Sequence, residues 1–107
     1  MTNHARNGAA RERRVRDHLI DAGWVFIARS AGSKGPADLI LAHPDHGPAL
    51  IQVGTENKTL GPADRGRLLH AAALCSALPI LAVATRGAVA YWWVGPGPAR
   101  TWTEWSP

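Results

Sequence analysis

Two polar residues in short apolar segments, Asp38 and Gln52, are the first candidates for chemistry in this sequence. Asp38 opens the segment that ends at Ala42, and Gln52 interrupts the segment from Ala49 to Val53. Both segments have the length of buried strands, and the turn residues between them predict that the strands pair. A buried amide costs free energy unless something binds it. Paired strands would bring two oxygen donors together, and oxygen donors suit Mg²⁺ or Mn²⁺.

A third candidate, Glu12, lies in the segment from Ala9 to Ala22, which predicts a helix ended by Gly23. Glu12 precedes Val15 of the apolar stripe by three residues, so it lies on the inward edge of this helix. Two interpretations are open: a surface ion pair with Arg16, or a carboxylate that approaches the two strands. The residues alone favour the ion pair, because charge-rich helix faces are common.

Three short motifs carry a family resemblance: Arg29-Ser30-Ala31-Gly32-Ser33, Pro36-Ala37-Asp38 and Gln52-Val53-Gly54. They resemble the PD-(D/E)xK nuclease superfamily, in particular its archaeal-type and phage-type Holliday junction resolvases. Such proteins carry an Asp at the start of one strand and Glu-x-Lys, or Gln-x-Lys, on the next. The resemblance extends from about Ala9 to Val94. It implies an α/β fold with a restriction-endonuclease-like core, the order α-β-β-β-α-β-β and a central mixed sheet flanked by helices.

The resemblance also implies roles for individual residues. Asp38, Gln52 and the main-chain carbonyl of Val53 would bind Mg²⁺ (or Mn²⁺), together with Glu12 as the catalytic carboxylate of the first helix. The metal would polarise the scissile phosphate and lower the pKa of a bound water.

Gly54 departs from the family, because it occupies the position of the lysine that orients the attacking water. Three accounts are open. Cleavage is impaired while DNA binding persists, or Lys58 acts as a surrogate, although a regular strand places it about 13 Å beyond Gly54. The third account takes Glu56-Asn57-Lys58 as the true Glu-x-Lys, which its position outside the apolar strand disfavours.

A modest basic excess is consistent with DNA as the partner. The formal net charge is +4, and only Lys34 and Lys58 among the 12 basic residues are lysines. Arginine suits bidentate phosphate recognition, although high genomic GC content gives the same bias. The expected DNA contacts are Arg13, Arg14, Arg29, Ser33 and Lys34, with an ordinary polar turn as the alternative for Lys34. The expected ligand is branched DNA, such as a four-way junction, bound by a homodimer with two matched sites.

The remaining segments predict one domain over residues 1–107, with a frayed N-terminus to Gly8 and an irregular tail from Gly95. A second helix is expected over Pro62–Leu78, with Pro79 as its stop, followed by a hairpin over 80–94. The second helix and the Trp-bearing tail are candidate dimer interfaces.

Two smaller features have simple interpretations. Cys75 stands alone and is expected to be a small core residue. His43, Asp45 and His46 lie among turn residues, which favours a hairpin turn over a metal site. Without a signal peptide or an apolar membrane span, the expected location is cytoplasmic.

The predicted function is a metal-dependent, structure-selective endodeoxyribonuclease that resolves Holliday junctions. One alternative is a catalytically inactive DNA-binding module on the same fold, and another is a small α/β subunit that touches no nucleic acid. Metal-dependent cleavage separates the first from the second. Salt-sensitive DNA binding separates both from the third.

Overall fold

The computed structural model describes residues 4–30, 35–54 and 59–107. The chain order of its elements is helix, three strands, helix and two strands, as predicted, followed by a further short strand. The elements are α1 (His4–Asp21), β1 (Val25–Arg29), β2 (Leu39–His43), β3 (Gly47–Gly54), α2 (Pro62–Cys75), β4 (Leu78–Thr85), β5 (Ala88–Trp93), a 3₁₀ turn (Ala99–Thr101) and β6 (Thr103–Trp105).

The six strands form one mixed sheet in the order β1-β2-β3-β4-β5-β6. Strands β3 and β4 are parallel, while the other neighbours are antiparallel. Helix α2 connects β3 to β4, which is the crossover that a parallel pair requires. The predicted α/β class with a central mixed sheet and flanking helices is confirmed.

The sheet separates two apolar layers. Val15 and Leu19 of α1 pack on one face together with Leu39 and Ile51. Helix α2 covers the other face, where its side chains pack in a second cluster with Leu50. The central strands are buried on both faces, which explains why they appear in the sequence as nearly continuous apolar runs.

Helix α1 begins at His4, earlier than the predicted Ala9. Its C-terminal end agrees with the prediction. Gly23 has φ 98°, in the left-handed region that favours glycine, and its N–H donates to the Ile20 carbonyl.

Helix α2 ends at Cys75, three residues before the predicted Leu78. Ser76 adopts the left-handed conformation with φ 53°, and Pro79 lies inside β4 rather than ending the helix. Cys75 is exposed, so its expected place in the core is wrong. The helix is apolar on more than one face, and only Leu68 and Ala72 are buried.

The tail is more regular than predicted, because Thr103–Trp105 forms β6 beside β5. Trp102 is buried, and its Nε1 donates to the Gly97 carbonyl at 3.0 Å. Trp105 makes edge contacts with Trp24 and Tyr91. Both tail tryptophans therefore pack on the body of the same chain. In the described ranges, no helix is long and apolar enough to cross a membrane.

Candidate active site

Asp38 lies where the pairing of β2 with β3 becomes irregular. The last regular pair is Leu39 with Ile51. One residue earlier, the Asp38 N–H donates to the Ile51 carbonyl at 2.9 Å. The Asp38 carboxylate Oδ2 accepts a hydrogen bond of 2.8 Å from the Val53 N–H. A side-chain oxygen thus takes the place of the main-chain acceptor that a continued ladder would offer, and the carboxylate is fixed beside the end of β3.

Burial disfavours the charged form of Asp38. The residue is 7% exposed, and desolvation raises the pKa of its carboxyl above the ordinary value. The hydrogen bond from Val53 lowers this pKa, whereas the negative charge of Glu12 raises it. Smaller effects come from Arg29, which lowers it, and Asp64 of α2, which raises it. A cation at this carboxylate would offset both the burial and the repulsion.

Glu12 of α1 forms an ion pair with Arg29 of β1, in which Arg29 Nε donates to Glu12 Oε1 at 2.6 Å. The Glu12 side chain is 15% exposed. The hydrogen bond and charge of Glu12 raise the pKa of Arg29. Arg16 instead pairs with Asp17 at 3.0 Å, so the interpretation of Glu12 as a surface partner of Arg16 is wrong. Arg29 of β1 therefore fixes the Glu12 carboxylate, whose charge acts on Asp38.

The side chains of β3 alternate between the two apolar layers. Val53 packs in the layer of α1, whereas Leu50 packs in the layer of α2. Alternation places Gln52 and Gly54 on the face of Leu50, as predicted for that pair. Gln52 is half-buried and follows directly after Ile51, whose carbonyl binds the Asp38 N–H.

The oxygen atoms around Asp38 and Val53 are of the chemical types that a hard divalent ion binds. Asp38 supplies a buried carboxylate whose pKa is raised by desolvation and by a like charge. The Val53 N–H points toward β2, so the Val53 carbonyl leaves the strand on the same side. Oxygen donors of these types, completed by the Gln52 amide and water, are what Mg²⁺ accepts. In the described part of the chain, no group of three or more His, Cys, Asp or Glu side chains could hold a metal.

The predicted DNA-contacting residues separate in space. Arg13 lines a cavity together with Glu12 and Arg29. Arg14 lies elsewhere on α1, where its guanidinium donates to the Ala88 carbonyl at 3.1 Å. The structure therefore places Arg13 and Arg29 around the same cavity as Glu12 and leaves Arg14 beside β5. Ser33, Lys34 and Lys58, with the triplet Glu56-Asn57-Lys58, lie outside the described residues.

His43, the last residue of β2, and His46, in the turn that follows, both pack on the ring of Trp24. His46 stacks on Trp24 with ring centroids 5.6 Å apart, and His43 Nδ1 accepts a hydrogen bond of 3.0 Å from the Asp45 N–H. Pro44–His46 forms the turn, so the predicted hairpin turn is confirmed.

Two residues that the sequence did not single out, Phe26 and Asp64, also lie near the site. Phe26 lines the same cavity as Glu12, and Asp64 acts on the pKa of Asp38 from α2. Asp64 follows Pro62 in the first turn of a predicted helix, where acidic residues are common. The start of a helix is reason enough for an acidic residue at position 64, so nothing in the sequence indicated that Asp64 would act on Asp38.

A solved structure shares this α/β architecture. The structure of Hjc from Archaeoglobus fulgidus, a Holliday junction resolvase from an archaeal hyperthermophile, is similar with a TM-score of 0.62 and 20% sequence identity. The similarity covers 86% of this chain and 77% of that chain. No family model matches the sequence, and no curated protein matches it. The predicted resemblance to archaeal resolvases is confirmed at the level of the fold.

Proposed function

We propose that this chain is a metal-dependent, structure-selective endodeoxyribonuclease that acts on branched DNA, with the four-way junction as its substrate. The resolvase fold supports this proposal, and one observation carries it. The buried Asp38 carboxylate is held at 2.8 Å by the Val53 N–H within electrostatic range of the Glu12–Arg29 ion pair. A partly desolvated carboxyl with a shifted pKa and specific charged neighbours is typical of a functional site.

The roles proposed for the residues follow from their positions. Asp38, Gln52 and the Val53 carbonyl would hold Mg²⁺ or Mn²⁺. Glu12, whose charge acts on Asp38, would approach the ion from the α1 side of the sheet. Such an ion, when bound, polarises a phosphate and lowers the pKa of a water. Arg29 fixes the Glu12 carboxylate by the 2.6 Å hydrogen bond, and the exposed part of its guanidinium can bind a DNA phosphate.

The glycine at position 54 is the reason that we expect slow DNA cleavage. A lysine at this position would place a cation next to the attacking water, and glycine supplies none. The chain is therefore proposed to bind junctions and to cut them slowly. Gly54 is also the observation that favours the second candidate function, a catalytically inactive DNA-binding module on the same fold. The surrogate role of Lys58 and the phosphate contacts of Ser33 and Lys34 remain hypotheses.

A homodimer is part of the proposal, because two paired cuts in a four-way junction need two matched sites. Helix α2 meets its own sheet through Leu68 and Ala72. Leu74 on the same helix is 74% exposed. Its neighbours Ala73 and Cys75 are exposed as well, and the proposal places the dimer contact at this end of α2.

The test uses one labelled four-way junction and a linear duplex of the same sequence, each with Mg²⁺ or with a chelator. We expect tighter binding to the junction in competition and slow cleavage that requires the ion. Equal affinity for junction and duplex would contradict the branched-DNA proposal. Junction preference without any metal-dependent cleavage would favour the binding module.

A further inference from the structure

Strand β1 contains a β-bulge, which changes the face of the sheet on which the following side chains lie. Phe26 pairs with Leu41, whereas Ala28 pairs with Ile40, so Ile27 is the extra residue. Leu41 and Leu39 both belong to the layer of α1, and paired residues share a face. Phe26 and Arg29, which pairs with Leu39, therefore lie on the same face. Strict alternation would have put residues three positions apart on opposite faces.

The bulge brings an aromatic ring into a cavity of about 140 Å³ beside the candidate active site. Its walls are Ala9, Glu12, Arg13, Arg16, Phe26, Arg29 and Leu39. The Phe26 side chain is 36% exposed, and the Arg16 guanidinium lies 5.9 Å from its ring centroid. The cavity thus combines an accessible ring with three guanidinium groups and one carboxylate.

One of the three arginines that line the cavity has no acidic partner in the described ranges. Arg29 pairs with Glu12, and Arg16 pairs with Asp17. Arg13 forms no ion pair with any residue in the described ranges. A guanidinium without an acidic partner that lines the same cavity as an exposed ring suits a ligand that carries both a phosphate and a flat ring.

We propose that this cavity binds one unpaired nucleotide of the DNA, with its base against Phe26 and Arg16 and its phosphate on Arg13. The inference rests on the proposed function, since it concerns the DNA next to the cut. A base inside a duplex offers no free ring face, whereas an unstacked base at a branch does. Aromatic and arginine side chains hold such bases without reading their sequence. The cavity would therefore favour DNA that is unpaired near the branch point.

The experiment compares a short oligothymidylate with the same oligomer made of abasic sites, which keeps the phosphates and removes the bases. Affinities of the full chain are measured by fluorescence anisotropy at one fixed low salt concentration. We expect the oligomer with bases to bind about 5- to 150-fold more tightly, the range that stacking of one base on an aromatic ring produces. Phe26→Leu should remove this preference while the affinity for the abasic oligomer stays unchanged.

Two further variants separate stacking from a merely structural role. Phe26→Trp keeps a ring and should retain the preference. Arg13→Ala should weaken both oligomers by a similar factor. Equal binding of the two oligomers by the natural sequence would overturn the inference, as would equal losses on both oligomers in Phe26→Leu. If the four-way junction still binds in that case, the proposed function stands without this cavity. Absence of binding to any DNA would overturn both.

Discussion

The Asp38 carboxylate Oδ2 accepts a hydrogen bond of 2.8 Å from the backbone N–H of Val53. This contact ties an ionisable side chain of one strand to the main chain of the next, at the point where their regular pairing ends. It also holds that carboxylate in a buried position where its ionised form is disfavoured. A group kept at such a cost in stability suggests a role in function.

Asp38→Asn should stabilise the protein near neutral pH. Burial raises the pKa of Asp38 in the folded state above its unfolded value of about 3.9. The folded state therefore holds this proton more tightly, and stability falls as pH rises from the unfolded pKa through the folded pKa. Asparagine carries no charge and keeps an oxygen for the Val53 N–H. Urea unfolding should show a gain at neutral pH that shrinks toward acid pH, and a loss at neutral pH would contradict this account.

Divalent ions should stabilise the natural sequence against heat. An ion that binds only the folded state adds about 1.4 kcal/mol at a free concentration tenfold above its dissociation constant. Mg²⁺ or Mn²⁺ should therefore raise the melting temperature of the natural sequence and of Glu104→Gln, a control at an exposed acidic residue of β6. Asp38→Asn should show no such rise. An equal rise in all three proteins would indicate ion binding elsewhere.

Arg13→Ala should weaken DNA binding more than Arg14→Ala. Arg13 lies at the cavity with Arg29, whereas the Arg14 guanidinium is bound to the Ala88 carbonyl. Loss of one phosphate contact reduces the slope of log affinity against log salt by about 0.9. Titrations at several salt concentrations should show this reduction for Arg13→Ala and little change for Arg14→Ala. A larger loss of affinity in Arg14→Ala than in Arg13→Ala would indicate that DNA binds on the side of α1 that faces β5.

Leu74→Glu should dissociate the proposed dimer. The side chain is exposed on α2, so a charge there costs the folded monomer little, whereas an apolar interface would have to bury it. Light scattering should give a mass of two chains for the natural sequence and of one chain for the variant. Ala63→Glu, also exposed and at the other end of α2, is the control. A single-chain mass for the natural sequence, with and without DNA, would refute the dimer.

The order of the elements could be predicted because the central strands are buried on both faces and the turns carry Gly and Pro. Residue faces on the second half of α2 could not, because its apolar residues occupy more than one face and do not show which side meets the sheet. Cys75 lies in this alanine-rich run, where a small residue is expected in the core, and it is exposed.

The ion-pair partner of Glu12 could not be predicted from the sequence either. Local spacing offered Arg16, but the observed partner, Arg29, comes from a different element. The bulge at Ile27 likewise left no sign in a uniformly apolar segment, so the position of Phe26 beside Arg29 was not predicted. Both features depend on contacts between elements, which spacing along one element cannot reveal.

Gly54 provides the most direct test of the proposed function. It pairs with Val83 at the end of β3, and a paired strand position is one that residues with side chains ordinarily occupy. Removal of one preorganised stabiliser of transition-state charge typically costs about 100- to 1000-fold in rate, so Gly54→Lys should restore a comparable factor.

The decisive measurement is the single-turnover rate of cleavage of one labelled four-way junction in Mg²⁺. We expect slow cleavage by the natural sequence and cleavage about 100- to 1000-fold faster by Gly54→Lys, with junction affinity changed only a few fold. The gain should disappear in Gly54→Lys combined with Asp38→Asn. Fast cleavage by the natural sequence that is lost in Lys58→Ala and not improved by Gly54→Lys would contradict this account and make Lys58 the catalytic lysine.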